Sequence, residues 1–159
     1  MAINRSWTFF MKIEDEIKTT KFRNPFHKMA VNLLFTASWL EERNRQYFKP
    51  YEVTPQQFNL LRILRGQHPS KISVAEIKSR MIDKNSDTSR LVSRLLSKKM
   101  IEKEQSSKDK RAADIRITEE GLRLLKRIDT NMDQTDAGLF KLTCDEAIQL
   151  SLLLDKTRG

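Results

Sequence analysis

The sequence predicts a mainly α-helical protein with one small β-hairpin. Only four glycines and four prolines interrupt its 159 residues, and 32% of the residues are charged against 38% hydrophobic, which indicates amphipathic helices. Most segments have apolar residues at helical spacing, whereas residues 100–105 and 113–118 alternate as strands do. The resulting order of four helices, a hairpin and two helices predicts a winged helix-turn-helix with additional N- and C-terminal helices.

The start of the first long helix is marked by local signals. Asn24 can cap a helix that begins at Pro25, where a missing N–H has no consequence, and that runs to about Phe48. Residues 1–23 carry weaker signals, and the best of these predicts a short helix at residues 7–17.

Three capping boxes begin further helices, because in each box a Ser or Thr and a residue three positions later bind each other's backbone N–H groups. They are TPQQ (54–57), SVAE (73–76) and TCDE (143–146). The stretch GQHP (66–69) ends the helix that starts at the first box. Thr118 is predicted to cap the helix that precedes the third box.

A further helix is predicted from a cap at Asn85 or Ser86 to about Lys98. Arginine can bind guanine through two hydrogen bonds or clamp a phosphate, and short hydroxyl side chains let the backbone approach the groove floor. One side of this helix carries both residue types at i, i+3, i+4, i+7 and i+8, with a plain solvated face as the alternative interpretation. The residues on this side are Ser86, Ser89, Arg90, Ser93 and Arg94.

Positive charge is concentrated in this helix and in the hairpin. The chain has a net charge of +9, and residues 78–111 hold eleven basic against five acidic residues, a net of +6. Lys and Arg gain affinity for polyanions by releasing counterions from phosphates. The loop at 106–112 is too polar to bury, while Ile115 and Ile117 of the following strand can anchor it. An exposed basic loop of this kind predicts nucleic acid as its partner.

Three segments, SRLVSRLLSKKMIEK (89–103), DKR (109–111) and ITEEG (117–121), together resemble the MarR family of winged-helix transcriptional regulators. That family shows a Thr/Ser-Arg-x-x-x-Arg-Leu run, a Lys-Gly-Leu/Ile helix end, an Asp-x-Arg wing and a Leu-Thr-x-x-Gly helix start. The close match covers residues 54–125. Lys99 departs from the pattern, because glycine suits a left-handed helix end at which lysine costs about 1 kcal/mol. Either the helix ends differently or this cost is tolerated.

The resemblance implies a transcriptional regulator, a repressor or an activator, that binds pseudo-palindromic double-stranded DNA. A cytoplasmic location is expected because no secretory or membrane segment is visible in the sequence. Arg111 would enter a narrow A·T-rich minor groove from the wing, whereas Asp109 would order the wing through nearby cations. The predicted DNA-binding residues are Ser86, Thr88, Ser89, Arg90, Ser93, Arg94, Lys98, Lys108, Lys110 and Arg111.

The outer helices carry more apolar surface than a small winged domain needs, and an exposed apolar patch indicates association. The resemblance implies a homodimer whose twofold axis matches two half-sites about one helical turn apart, and a monomer with a larger core is the alternative. We expect a single domain over residues 1–159. It would comprise an N-terminal extension (1–24), dimerisation helices (25–53 and 119–159) and a DNA-binding region (54–118).

The resemblance also implies a small phenolic or aromatic effector in a cleft between the dimer helices and the DNA-binding region. Aromatic residues at this spacing equally suit a plain core. Cys144 is expected to be inert, because two acidic residues follow it and disfavour a reactive thiolate. His27 and His68 lack companion ligands, so no metal or cofactor is expected. The candidate pocket residues are Phe26, His27, Met29, Trp39 and Phe58.

Other classes of function find little support in the sequence. It contains no glycine-rich phosphate loop, nucleophile elbow or metal-ligand cluster, so an enzyme is not expected. The longest uncharged, mainly apolar run, residues 29–40, is too short to span a bilayer, which favours a soluble protein. A winged-helix module for protein or RNA binding is the alternative, although residues 85–111 lack the aromatic platforms of single-strand readers.

Overall fold

The computed structural model describes residues 11–19, 21–105 and 113–159, and the side chains of residues 133–138 lie outside that description. It confirms a mainly α-helical fold with a small antiparallel sheet. Within these ranges no helix combines the length and the apolar character needed to cross a membrane. The predicted division into dimerisation and DNA-binding regions stays a prediction.

The first of two compact units is Met1–Phe48. It contains a single-turn helix and a long helix, α1 (Ile13–Glu16) and α2 (Pro25–Phe48). Asn24 caps α2 as predicted, because its side-chain oxygen accepts a hydrogen bond from the backbone N–H of His27 at 2.9 Å. Lys28 Nζ donates to Glu14 Oε1 at 2.5 Å, and this hydrogen bond lowers the pKa of Glu14. The ion pair thus joins α1 to α2.

The second compact unit, Lys49–Gly159, contains the winged helix-turn-helix. Its elements in chain order are a 3-10 turn (Lys49–Tyr51), α3 (Pro55–Arg65), β1 (Ile72–Ser73), α4 (Val74–Arg80), α5 (Thr88–Ser97), β2 (Ile101–Gln105), β3 (Ala113–Ile117), α6 (Glu119–Leu139) and α7 (Cys144–Arg158). The capping boxes predicted for α3, α4 and α7 are all present, with hydrogen bonds in both directions.

The three strands form an antiparallel sheet in the order β1-β3-β2. Ile101 of β2 pairs with Ile117 of β3. As predicted from the alternation, Ile115 and Ile117 are buried, and Arg116 between them is exposed. The sequence gives no sign of β1, because the two residues Ile72–Ser73 are recognisable as a strand only through their pairing with β3.

The core of the second unit lies between α3 and α6, with α4, α5 and the sheet packed around it. Full burial of one such aliphatic side chain contributes about 1.5–3 kcal/mol. The packing holds one side of α5 against the unit and thereby determines which side faces solvent. The most deeply buried side chains are Leu60, Leu61, Leu64, Ile77, Met81, Leu95, Ile115, Leu125 and Ile128.

Two helices leave apolar side chains in solvent. In α2 these are Phe26, Met29, Leu33 and Leu34, and in α7 and the segment before it they are Phe140, Leu142, Ile148, Leu150, Leu152 and Leu153. No residue of α7 is buried. Exposed apolar surface of this extent is unusual for a monomeric protein and indicates a missing partner.

Candidate nucleic-acid interface

The second helix of the helix-turn-helix, α5, is capped one or two residues later than the sequence predicts. Asp87 Oδ1 accepts a hydrogen bond from the third helical N–H at 3.0 Å, so the first helical residue is Thr88. The predicted caps, Asn85 and Ser86, are wrong because Asp87 occupies the cap position, and the hydroxyl of Ser86 binds Asp83 instead. The backbone N–H of Asn85 and the hydroxyl of Ser86 each donate to that carboxylate at 2.9 Å.

The outward side of α5 carries two arginines. Val92 and Leu95 are 4% and 0% exposed, which fixes their side of the helix against the core. Arg90 and Arg94 are exposed, and their guanidinium groups form no hydrogen bond or ion pair with any other residue in the described part of the chain. Both groups are therefore available to a partner outside this chain.

Of the predicted DNA-binding residues in this region, Thr88 and Lys98 make contacts within the chain, whereas Ser89 and Ser93 lie on the outward side of α5. Thr88 is 4% exposed, and its hydroxyl donates to a backbone carbonyl two residues earlier at 3.5 Å, so its side chain does not reach the outward side of α5. Lys98 Nζ donates to the backbone carbonyl of Glu52, which ties this ammonium to the start of the unit. Ser89 and Ser93 remain exposed beside the arginines.

The end of α5 contains the residue that departs from the glycine pattern. Lys99 has a φ of 58°, and its N–H donates to the carbonyl of Leu96 at 2.9 Å. The N–H of Met100 donates to the carbonyl of Leu95 at 3.1 Å. These two bonds form a Schellman motif, in which a left-handed residue ends the helix. The helix thus ends where glycine would end it, and lysine tolerates a strain of about 1 kcal/mol.

The start of α6 is bound directly to this turn. Thr118 Oγ1 donates to the carbonyl of Lys99 at 2.8 Å and accepts from the N–H of Gly121 at 3.2 Å. One hydroxyl thus joins the two helices and confirms Thr118 as the predicted cap. A β-carbon at Gly121 would lie 2.4 Å from the carbonyl oxygen of Met100. Only glycine fits this close approach without movement of the backbone.

The base of the hairpin is held by a row of alternating charges. Arg116 Nε of β3 donates to Glu102 at 2.8 Å, and its guanidinium also lies 3.6 Å from a carboxylate oxygen of Glu104. Lys71, just before β1, donates to Glu104 as well. The hydrogen bond to Glu102 raises the pKa of Arg116, and the one from Lys71 lowers the pKa of Glu104. Lys71 and Arg116 thus offset the charges of the two carboxylates of β2.

The tip of the hairpin lies between Gln105 and Ala113. The four residues predicted to act there, Lys108, Asp109, Lys110 and Arg111, lie outside the residues that the structure describes. Their roles in ordering the wing and contacting the minor groove stay predictions.

The predicted effector residues are divided between the two units. Phe58 belongs to the second unit and is buried, whereas Phe26 and Met29 of the first unit are exposed and His27 is half-buried. Trp39 lines a cavity of about 190 Å³ in the first unit. The other residues around this cavity are Met11, Ile13, Glu16, Asn32, Phe35 and Thr36. The predicted pocket stays a prediction.

Cys144 and the possible metal ligands were the weaker candidates for chemistry. Cys144 is a free, exposed thiol at the start of α7. Among the residues whose placement is described, no three His, Cys, Asp or Glu side chains are grouped so that they could hold a metal ion.

Comparison with known proteins points to one family. Residues 53–113 match the model of the MarR family. The HTH-type transcriptional regulator YsmB of Bacillus subtilis (strain 168) is 24% identical over 119 residues, which are 75% of this chain and 80% of YsmB. The crystal structure of a MarR transcription factor from Planctomyces limnophilus is similar with a TM-score of 0.65 and 26% identity, over 85% and 98% of the two chains. Mutant MarR from E. coli in complex with operator DNA has a TM-score of 0.74 and 24% identity, over 88% and 100%.

Proposed function

We propose that this chain, which has a winged helix-turn-helix fold and whose residues 53–113 match the MarR family model, is a transcription regulator of that family and binds specific sequences of duplex DNA. Members of that family are transcription regulators, not enzymes. The observation that carries the proposal is the outward side of α5, where Arg90 and Arg94 are exposed opposite the buried Val92 and Leu95. A single helix of this kind fits the major groove of B-DNA.

In the proposed complex the residues of α5 contact both bases and phosphates. Arg90 and Arg94 bind guanine edges or clamp phosphates, and the short side chains of Ser89 and Ser93 allow close approach to the groove floor. Arg111 and the lysines beside it serve the flanking minor groove and its phosphates. Counterion release at these contacts makes the affinity depend on salt.

We propose a second copy of the chain as the cover for the exposed apolar surfaces. In α7, Ile148, Leu152 and Leu153 are 59%, 64% and 61% exposed, and α2 carries a comparable set. Burial of these side chains between two copies would supply the free energy of association. A twofold dimer would present two α5 helices to successive major grooves, roughly 34–36 Å apart, and would match a pseudo-palindromic operator.

The proposed regulator acts in the cytoplasm as a repressor, and a small aromatic molecule releases it from the operator. We place the site for such a molecule in the open groove that Trp39, Phe35 and Asn32 line in the first unit. Titration of DNA-bound protein with a panel of aromatic acids tests this part of the proposal. If no aromatic acid released the protein from DNA, the proposed effector would be ruled out, while the proposed DNA binding would stand.

The central test measures the binding of arginine variants to duplex DNA. The purified chain first selects its preferred duplex from a randomised pool, and fluorescence anisotropy then gives the affinity at several salt concentrations. We expect Arg90→Ala and Arg94→Ala each to weaken binding by about ten- to hundredfold, which corresponds to about 1–3 kcal/mol. The slope of log affinity against log salt should fall by about one for each lost phosphate contact.

Arg127→Ala is the matched control, since Arg127 is an exposed arginine of α6 with no proposed DNA contact. This variant should keep the wild-type affinity and salt slope. Unchanged binding by both α5 variants would contradict the proposed role of α5. A preference for single-stranded RNA, or binding to no nucleic acid, would favour the interaction-module alternative instead.

A further inference from the structure

One exposed aliphatic side chain stands apart in the winged helix-turn-helix. Ile82 is 84% exposed, the highest value among the exposed large hydrophobic residues of the described chain. The other residues of that group lie before residue 35 or between residues 140 and 153, so within the described parts of 49–132 Ile82 is alone. The apolar surfaces proposed for dimerisation therefore do not include it.

The backbone that carries Ile82 is tethered on both sides. Asn59 of α3 accepts a hydrogen bond from the N–H of Ile82 at 3.0 Å, and the preceding Met81 is 1% exposed. After Ile82, Lys84 Nζ donates to the carbonyl of Ser79 at 2.6 Å. A side chain presented from a fixed backbone loses little freedom when it meets a partner, so its contact retains more of the interaction free energy.

The position of Ile82 in the fold indicates which partner it meets. It lies in the turn that joins α4 to α5, shortly before the cap Asp87. Since the N-terminal residues of a recognition helix contact base edges, the turn that leads into it lies beside the same groove. Lys78, Arg80 and Lys84 are exposed nearby in the sequence. Asp83, next to Ile82, is engaged by Asn85 and Ser86. An aliphatic group beside lysines suits a polyanion that also presents an apolar group.

We propose that Ile82 contacts the 5-methyl group of a thymine in the major groove and thereby sets a preference for thymine at one position of each half-site. This inference rests on the proposed binding of duplex DNA by α5. The thymine methyl is the apolar group that base pairs present in the major groove. A contact between Ile82 and this methyl needs no hydrogen bond, and it discriminates thymine from cytosine and uracil, which both lack the methyl group.

The test replaces each thymine of the selected duplex in turn by uracil, which differs only by the missing methyl group. For the wild-type chain we expect one position in each half-site at which uracil weakens binding about fourfold, the effect of one buried methyl-sized group. With Ile82→Ala the same replacement should change the affinity by less than about twofold, because the partner of the methyl is gone. Ile82→Val keeps a branched aliphatic side chain and should keep most of the wild-type sensitivity.

The possible outcomes separate this inference from the proposed function. Selection of no duplex at all would overturn both. Selection of a duplex on which the wild type and Ile82→Ala respond identically to every uracil would overturn the thymine contact alone. A loss of affinity in Ile82→Ala that is unrelated to thymine positions would also overturn it. Thermal unfolding of both variants should match the wild type, because the side chain that is changed lies in solvent.

Discussion

Two helices of the second unit, α5 and α7, differ in the solvent exposure of their apolar residues. In α5, Val92 and Leu95 are buried within the chain, and the exposed side carries arginines. In α7, Ile148 and Leu152 are more than half exposed, and no residue is buried. Both helices have capped N-termini, so the difference does not lie in helix formation. Apolar residues in a helix thus predict that they will be covered, but not whether the same chain covers them.

The largest expected effect is on the free energy of unfolding when one leucine in each helix is truncated to alanine. Leu95 is 0% exposed, so Leu95→Ala should lower the free energy of unfolding by about 2–5 kcal/mol through lost burial and a cavity. Leu152, at 64% exposure, is the matched control. In the dissociated chain, Leu152→Ala should change the free energy of unfolding by less than about 0.5 kcal/mol. Urea titration followed by circular dichroism at low protein concentration measures both. Equal losses of unfolding free energy in both variants would contradict the proposed difference between α5 and α7.

A second prediction concerns the partner that α7 lacks within the chain. Leu152→Glu combined with Leu153→Glu would place carboxylates in the proposed apolar contact, which should weaken self-association by more than about hundredfold, or about 3 kcal/mol. Sedimentation velocity measures the dissociation constant. Gln149→Glu adds a charge to the same exposed helix without removing an apolar group, and it should have little effect. A wild-type chain that is monomeric at all concentrations would remove the proposed dimer.

A smaller effect is expected at the end of α5. Lys99 has a positive φ, so Lys99→Gly should raise the free energy of unfolding by about 1 kcal/mol, which corresponds to about 2–4 °C in Tm. Lys98, with a φ of −85°, gives glycine no such advantage, and its replacement also removes the hydrogen bond to the carbonyl of Glu52. Lys98→Gly should lower the Tm, and scanning calorimetry compares the two. A decrease in both variants would show that the strain at Lys99 is absent.

The smallest expected effect is the acid sensitivity of the start of α7. Hydrogen bonds from Thr143 lower the pKa of Glu146 from its ordinary value of 4.5. Because the folded pKa is below the unfolded one, the stabilisation is complete above about pH 4.5 and is lost as the pH falls through the lowered pKa. Glu146→Gln should flatten this dependence, measured by amide exchange of the first turn. The box at the start of α3 uses Gln57, so it should show no such acid step.

Features of the fold that depend on neighbouring residues could be predicted from the sequence. The capping boxes at Thr54, Ser73 and Thr143 are present as predicted, because each is made by hydrogen bonds between residues three positions apart. Thr118 was predicted as a cap for the same reason. The Arg90 side of α5 follows equally from helical periodicity, since burial of the opposite stripe leaves that side exposed.

Features that depend on residues far apart in the chain could not be predicted in this way. One local feature was missed as well: Asp83 binds the backbone N–H of Asn85 and the hydroxyl of Ser86, and Asp87 caps α5. No neighbour of Lys98 indicates its bond to the carbonyl of Glu52. The ion pair between Lys71 and Glu104 likewise needs the sheet order before it can be recognised.

The contact between Gly121 and Met100 has a mechanical consequence for the molecule. The Met100 carbonyl also accepts a hydrogen bond from the N–H of Thr118 at 3.1 Å. The two backbone segments are therefore in direct contact, and no flexible side chain lies between them. Where α5 ends and α6 begins, the two helices form a stiff corner and not a hinge. We therefore expect α5, which carries Arg90 and Arg94, to follow a tilt of α6.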